Sequence, residues 1–130
     1  MRLKGRIASV TGAGRGMGEC IARGFAREGA KVVLSDIKGD GAAAVAASIV
    51  EDGGTAIALA ADVCLEEDAE AIARAAVEHF GRLDVHVNNA GVSMTKAFLH
   101  TTKEDVDRMV RVNMVGAFLC AQAAVRVMLP

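Results

Sequence analysis

At 130 residues the chain has the length of one domain around one core, and 52% of its residues are hydrophobic. A formal charge of −1 with no basic run argues against nucleic acid or an anionic membrane as its main partner. Cys20, Cys64 and Cys120 are odd in number and lack metal-ligand spacing. They are expected as small buried residues of a reduced cytoplasmic protein, with no metal site.

Taken in order, Ile7–Thr11 is an apolar run that predicts a first strand, leaving no room for a signal peptide. A helix follows from Glu19 to Glu28, with Cys20, Ile21, Gly24 and Phe25 on its inner face and Gly29 as its stop. Lys31–Asp36, with Val-Val-Leu at its centre, predicts a strand buried on both faces. The alanine-rich stretch Gly39–Asp52 predicts a second helix, and Thr55–Ala61 a third strand. Glu66–Phe80, acidic in its first turn and ended by Gly81, predicts a third helix, and Leu83–Val87 a fourth strand. Lys103 to about Leu129 is expected as one long helix capped by Thr101 or Thr102. Its apolar part is interrupted by Asn113, Gln122 and Arg126, so no membrane span is predicted.

Strands alternating with helices, without linker or low-complexity tract, predict an α/β fold. A doubly wound parallel sheet of the Rossmann type is expected, with strand order 3-2-1-4 and a ligand across the carboxyl ends of the strands. Residues 1–130 are then a single Rossmann-type domain.

The stretch Thr11-Gly-Ala-Gly-Arg-Gly-Met-Gly18 between the first strand and helix carries the chemistry. A strict G-x-G-x-x-G does not fit, since the last place is Met17 counted from Gly12 and Glu19 counted from Gly14. No Gly-Lys-Ser/Thr follows, so a P-loop does not fit either. The pattern is T-G-x-x-x-G-x-G. Glycines at a helix start let bare main chain approach a diphosphate, whose charge meets exposed N–H groups and the helix dipole.

With Asp36 ending the second strand, Asp62-Val63 after the third, Asn88-Asn89-Ala90-Gly91 after the fourth and Asn113 in the last helix, the chain resembles the short-chain dehydrogenase/reductase family over its whole length. The resemblance implies hydride transfer between NAD or NADP and a small alcohol or carbonyl substrate. It implies a cofactor site at Gly12, Gly14, Arg15, Gly16, Met17, Gly18, Asp36, Ile37, Asp62, Val63, Asn89, Ala90 and Gly91. Asp36 follows Gly18 by 18 residues, near the distance at which an acid meets an adenosine ribose, and it would repel a 2′-phosphate. NAD is therefore expected over NADP, although Arg15 argues the other way. Asp62 is read equally as an adenine contact and as a helix-approach residue. Asn89 is read either as a neighbour of the nicotinamide-side ribose or as a brace for the sheet. Asn113 matches the family residue that holds a water linked to the catalytic lysine. His86 is read as a histidine satisfied by a neighbour, and His79 and His100 as surface residues.

The family's general acid/base is a tyrosine four residues before a lysine, yet the chain contains no tyrosine. The expectation is the N-terminal half of such an enzyme, truncated after the fourth βα unit and inactive alone. Its missing C-terminal half or a second copy would cover the apolar fourth strand and last helix. A catalytically inactive nucleotide-binding or interaction module is the alternative.

Overall fold

The computed structural model describes all residues, Met1–Pro130. Four parallel strands, β1 (Ile7–Thr11), β2 (Lys31–Asp36), β3 (Thr55–Ala60) and β4 (Val85–Val87), lie in the order β3-β2-β1-β4. β1 pairs along its whole length with β2, from Ile7 against Lys31 to Thr11 against Ser35, and on its other side with β4 through Ala8, Ser9 and Val10. Every residue of β1 is buried, whereas β3 and β4 at the two edges are only half-buried.

Two helical layers cover the sheet. On one face, α1 (Gly16–Arg27) and α2 (Gly39–Glu51) bury Ala22, Ala42, Val45 and Ile49 against Val10, Val32 and Leu34. On the other, α3 (Glu66–Phe80) and α5 (Ala117–Met128) bury Ala69, Ile72, Ala73 and Ala76 with Cys120, Ala123 and Ala124. Small side chains dominate both layers. They let helices lie close to the strands, where dispersion contacts and removal of apolar area from water stabilise the core.

The last helix departs from the expected single α-helix. α4 (Lys103–Val110) opens on a capping box in which Thr102 and Asp105 exchange bonds of 3.1 and 3.0 Å. Lys96 approaches the same carboxylate at 2.6 Å, and these partners pull the Asp105 pKa down to about 2. Residues Arg111–Gly116 then form a wider π turn before α5 resumes the ordinary spiral. Gly116 is placed so that a Cβ would lie 2.7 Å from Val63, which fixes the close approach of this turn to the end of β3.

Three further expectations need correction. α1 starts at Gly16 and not at Glu19, because Arg15 is extended (φ −165°, ψ 171°) and the chain enters the helix directly after it. β4 starts at Val85; Leu83 is buried in the core beneath it, and the Asp84 carboxylate accepts the Ile7 N–H at 2.8 Å. Cys20 is exposed and Cys64 half-buried, so only Cys120 is the buried cysteine expected; burial pushes its thiol up to about 11. His79 and His100 are exposed as read. The helical run Lys103–Met128 is long and apolar enough to cross a bilayer by length and composition alone. Its apolar residues divide between the contact with α3 and an exposed face carrying Val106, Val110, Met114, Val115, Phe118 and Val125.

Candidate functional site

Because the strands are parallel, all four deliver their carboxyl ends to one edge of the sheet, and the loops that follow them enclose a cleft of about 450 Å³. That volume falls within the range of about 300–1,000 Å³ common to small-molecule sites. Gly12 and Arg15 after β1, Asp36, Ile37 and Lys38 after β2, Ala61–Cys64 after β3, and Asn89–Val92 after β4 line it. Arg108, Arg111 and Val112 form the wall opposite.

The glycine turn is built for close approach. A Cβ on Gly18 would stand 2.2 Å from the Gly12 carbonyl oxygen and 2.5 Å from Asn89 Nδ2, so α1 can seat its first turn against the end of β1 only with glycine there. A Cβ on Gly14 would stand 2.9 Å from Asp36 Oδ2, and the Gly14 N–H donates to that oxygen at 2.9 Å. The other carboxylate oxygen of Asp36 accepts the Lys38 N–H at 3.0 Å. No side chain caps α1, and the N–H groups of Gly16, Met17 and Gly18 find no acceptor in the protein. Three free donors at the positive end of a helix dipole can bind an anion such as a diphosphate. The space beside Gly16 is open, with no atom within 4 Å of where a Cβ would project.

Across the cleft, the hydroxyl of buried Thr11 is a hub. It accepts the N–H groups of Asn89 and Ala90 at 3.1 and 3.0 Å and donates to the Val87 carbonyl at 3.4 Å. The Asn89 carboxamide donates to the carbonyls of Thr11 and Gly12 at 2.9 and 3.1 Å. Asn89 therefore braces the glycine turn, the structural one of its two readings, while still lining the cleft. Asp62 accepts the Cys64 N–H at 2.9 Å through one carboxylate oxygen, and its own N–H donates to Asp68 at 2.7 Å. Its helix-approach role is thus present, and the side chain also borders the cleft.

Asn113 is exposed within the π turn, and both ends of its carboxamide engage one residue. Oδ1 accepts the Val92 N–H at 2.8 Å and Nδ2 donates to the Val92 carbonyl at 2.9 Å. The carboxamide is thus paired, and it clamps the loop after β4 to that helix. His86 is satisfied as read. Its Nδ1 lies 2.7 Å from Ser9 Oγ and its Nε2 3.1 Å from Asn88 Oδ1, and Asn88 donates on to the Ala117 carbonyl at 3.1 Å. Burial holds the His86 pKa below its ordinary value.

Most of the sequence-predicted residues thus meet at one cleft. Gly14 lies just outside it in an adjoining hollow with Asp36 and Gly41, Gly18 packs beneath the turn, and the Met17 side chain points to solvent. The sequence reading missed the Thr11 hydroxyl, which it treated only as a motif position, and Lys38, Cys64, Val92, Arg108, Arg111 and Val112. The spacing of Arg108, Arg111 and Val112 on one helix side was a usable signal for the opposite wall. No group of three His, Cys, Asp or Glu side chains is arranged to hold a metal ion.

The family model described as short chain dehydrogenase matches residues 6–130. The mitochondrial borneol dehydrogenase of Lavandula x intermedia is 42% identical over 99% of this chain and 49% of its own length. Momilactone A synthase of Oryza sativa subsp. japonica is 42% identical over 99% of this chain and 47% of its own. Among solved structures, a double mutant of a Serratia marcescens short-chain dehydrogenase/reductase superposes with a TM-score of 0.92 at 38% identity, covering 98% of this chain and 53% of that one. A putative short-chain alcohol dehydrogenase from Sinorhizobium meliloti gives 0.89 at 42% identity, covering 96% and 50%. The chain spans about half the length of the curated relatives it matches.

Proposed function

Because the chain belongs to the short-chain dehydrogenase family, we propose that it is the cofactor-binding half of an oxidoreductase acting on a small alcohol or carbonyl compound with NAD. The observation that carries this reading is the uncapped start of α1, with its free Gly16, Met17 and Gly18 N–H groups, beside an Asp36 carboxylate already hydrogen-bonded to the Gly14 N–H. These groups fit a dinucleotide: the N–H groups and Arg15 would hold the diphosphate, and Asp36 the adenosine ribose. Asp62, Val63 and Ile37 would border the base, with Asn89, Ala90 and Gly91 toward the nicotinamide. When bound, the nicotinamide ring supplies hydride acceptance and donation. The residues of this chain bind and orient it.

NAD is preferred because a 2′-phosphate would sit against the Asp36 carboxylate. Each unit of like charge at about 4 Å costs about 1 kcal/mol in water and about 4 kcal/mol at a dielectric constant near 20. Arg15 and Lys38 border the same space and oppose this preference, without removing the carboxylate from it. The second reading, a nucleotide-binding module without chemistry, is favoured for these 130 residues alone by the lack of any tyrosine to act as general acid/base. Turnover is assigned to an assembly in which a C-terminal half or another subunit covers the free edge of β4 and the exposed face of α4 and α5. A homo-oligomer in the cytoplasm fits that arrangement.

Calorimetric titration of the chain with NAD and NADP tests the proposal. Asp36→Ala is expected to weaken NAD and to narrow the gap between the two cofactors. Wild-type protein that binds neither, or a variant with both affinities unchanged, would refute it.

A further inference from the structure

The strand order fixes how a nucleotide must lie if its phosphates rest on the start of α1. That start is at the end of β1, Asp36 is at the end of β2, and Ala61–Cys64 are at the end of β3. Phosphate, sugar and base laid outward in that order cover two strand spacings, about 10 Å, and bring the base to the β3 end of the cleft. The residues gathered there are Asp62, Val63 and Cys64 from the loop, and Arg111 and Val112 from the facing helix, and none of them is aromatic. No aromatic side chain lines the cleft, and the chain has neither tryptophan nor tyrosine. A purine placed there has no ring to stack on.

We propose that Arg111 supplies that missing face, its guanidinium lying flat over the base of a bound adenine nucleotide. This inference rests on the dinucleotide reading above and adds to it a recognition element for the base. Three observations support it. The Cys64 thiol donates to the Arg111 carbonyl at 3.6 Å, which ties the residue to the β3 end. The guanidinium has no carboxylate partner anywhere in the molecule, so it is free to meet a ligand. The backbone that bears it is the first residue of the π turn, a segment held in place by the Asn113–Val92 pair and by Gly116 against Val63. A planar, weakly hydrated cation packs on an aromatic plane in a way a lysine ammonium cannot.

The test uses the whole chain, with adenosine, AMP and NAD as probes in chemical-shift titrations. Arg111→Ala is expected to weaken all three by the same factor, about three- to tenfold, and Arg111→Lys to rescue little of that loss. Because Arg111 is exposed, thermal midpoints of both variants should match wild type, which separates a binding effect from misfolding. If AMP and NAD weaken while adenosine does not, the residue contacts phosphate and the proposal is overturned. Equal affinities for wild type and Arg111→Ala also overturn it, leaving the dinucleotide reading standing. Wild-type protein that binds no adenine probe removes both readings together.

Discussion

Replacing Thr11 by valine isolates the hub that joins the glycine turn to the end of β4. The two side chains have nearly the same shape, so Thr11→Val leaves no cavity at a position only 1% exposed. What is lost is the acceptor for the Asn89 and Ala90 N–H groups, at 3.1 and 3.0 Å, together with a weak 3.4 Å bond to Val87. A buried donor left without a partner costs about 1–3 kcal/mol. Both residues are half-buried, so the lower part of that range applies, giving about 2–4 kcal/mol for the pair. The additional buried methyl offsets about 0.8 kcal/mol. The net loss of about 1–3 kcal/mol is a sizeable part of the 5–15 kcal/mol that holds a typical domain together. For a chain of this length it lowers the thermal midpoint by about 4–12 °C. Thermal unfolding followed by far-UV circular dichroism measures this directly, with Thr11→Ser, which keeps the hydroxyl, as the control. A Thr11→Val midpoint within about 2 °C of wild type would refute the hub, as would a Thr11→Ser protein that falls equally far.

Three further outcomes are expected. Gly18→Ala should destabilise by about 1–3 kcal/mol, because its Cβ meets the Gly12 carbonyl. Gly24→Ala, where the nearest atom is the mobile end of Arg27 at 4.0 Å, should stabilise by about 0.5–1 kcal/mol. Chemical denaturation measures both, and effects of the same sign would refute the packing argument. His86 is held below its ordinary value of 6.5 by burial, so the folded state binds its proton less readily than the unfolded state. Its contribution is complete above pH 6.5 and is lost as pH falls from there toward the depressed folded value. The difference in unfolding free energy between wild type and His86→Val should therefore shrink with acidification through that window. A difference independent of pH would show that His86 titrates normally.

The strand order and the cleft were legible in the sequence because the relevant signals are local. Continuous apolar runs such as Val32–Leu34 mark buried parallel strands, and glycines or acids at their ends mark the loops that meet at one edge. The partners of the polar groups were not legible. Asn89 and Asn113 could be flagged as needing partners, but nothing in their neighbourhood names Thr11, Gly12 or Val92 as those partners. Cys20 was misplaced because helical periodicity locates a face only to within a residue or so, and Ala22 and Gly18 turn inward instead. The π turn carries no periodic signal of its own, since it depends on what the helix meets on each side.

That turn has a geometric consequence. One residue more than an α-helix would use rotates everything before it by about 100° relative to everything after. This offset lets a single rod send Arg111 and Val112 toward the cleft while Cys120 and Ala124 still face α3. Deleting one residue, Met114 or Val115, would restore an unbroken spiral and swing the upstream guanidinium groups away from the cleft, leaving the downstream half seated where it is.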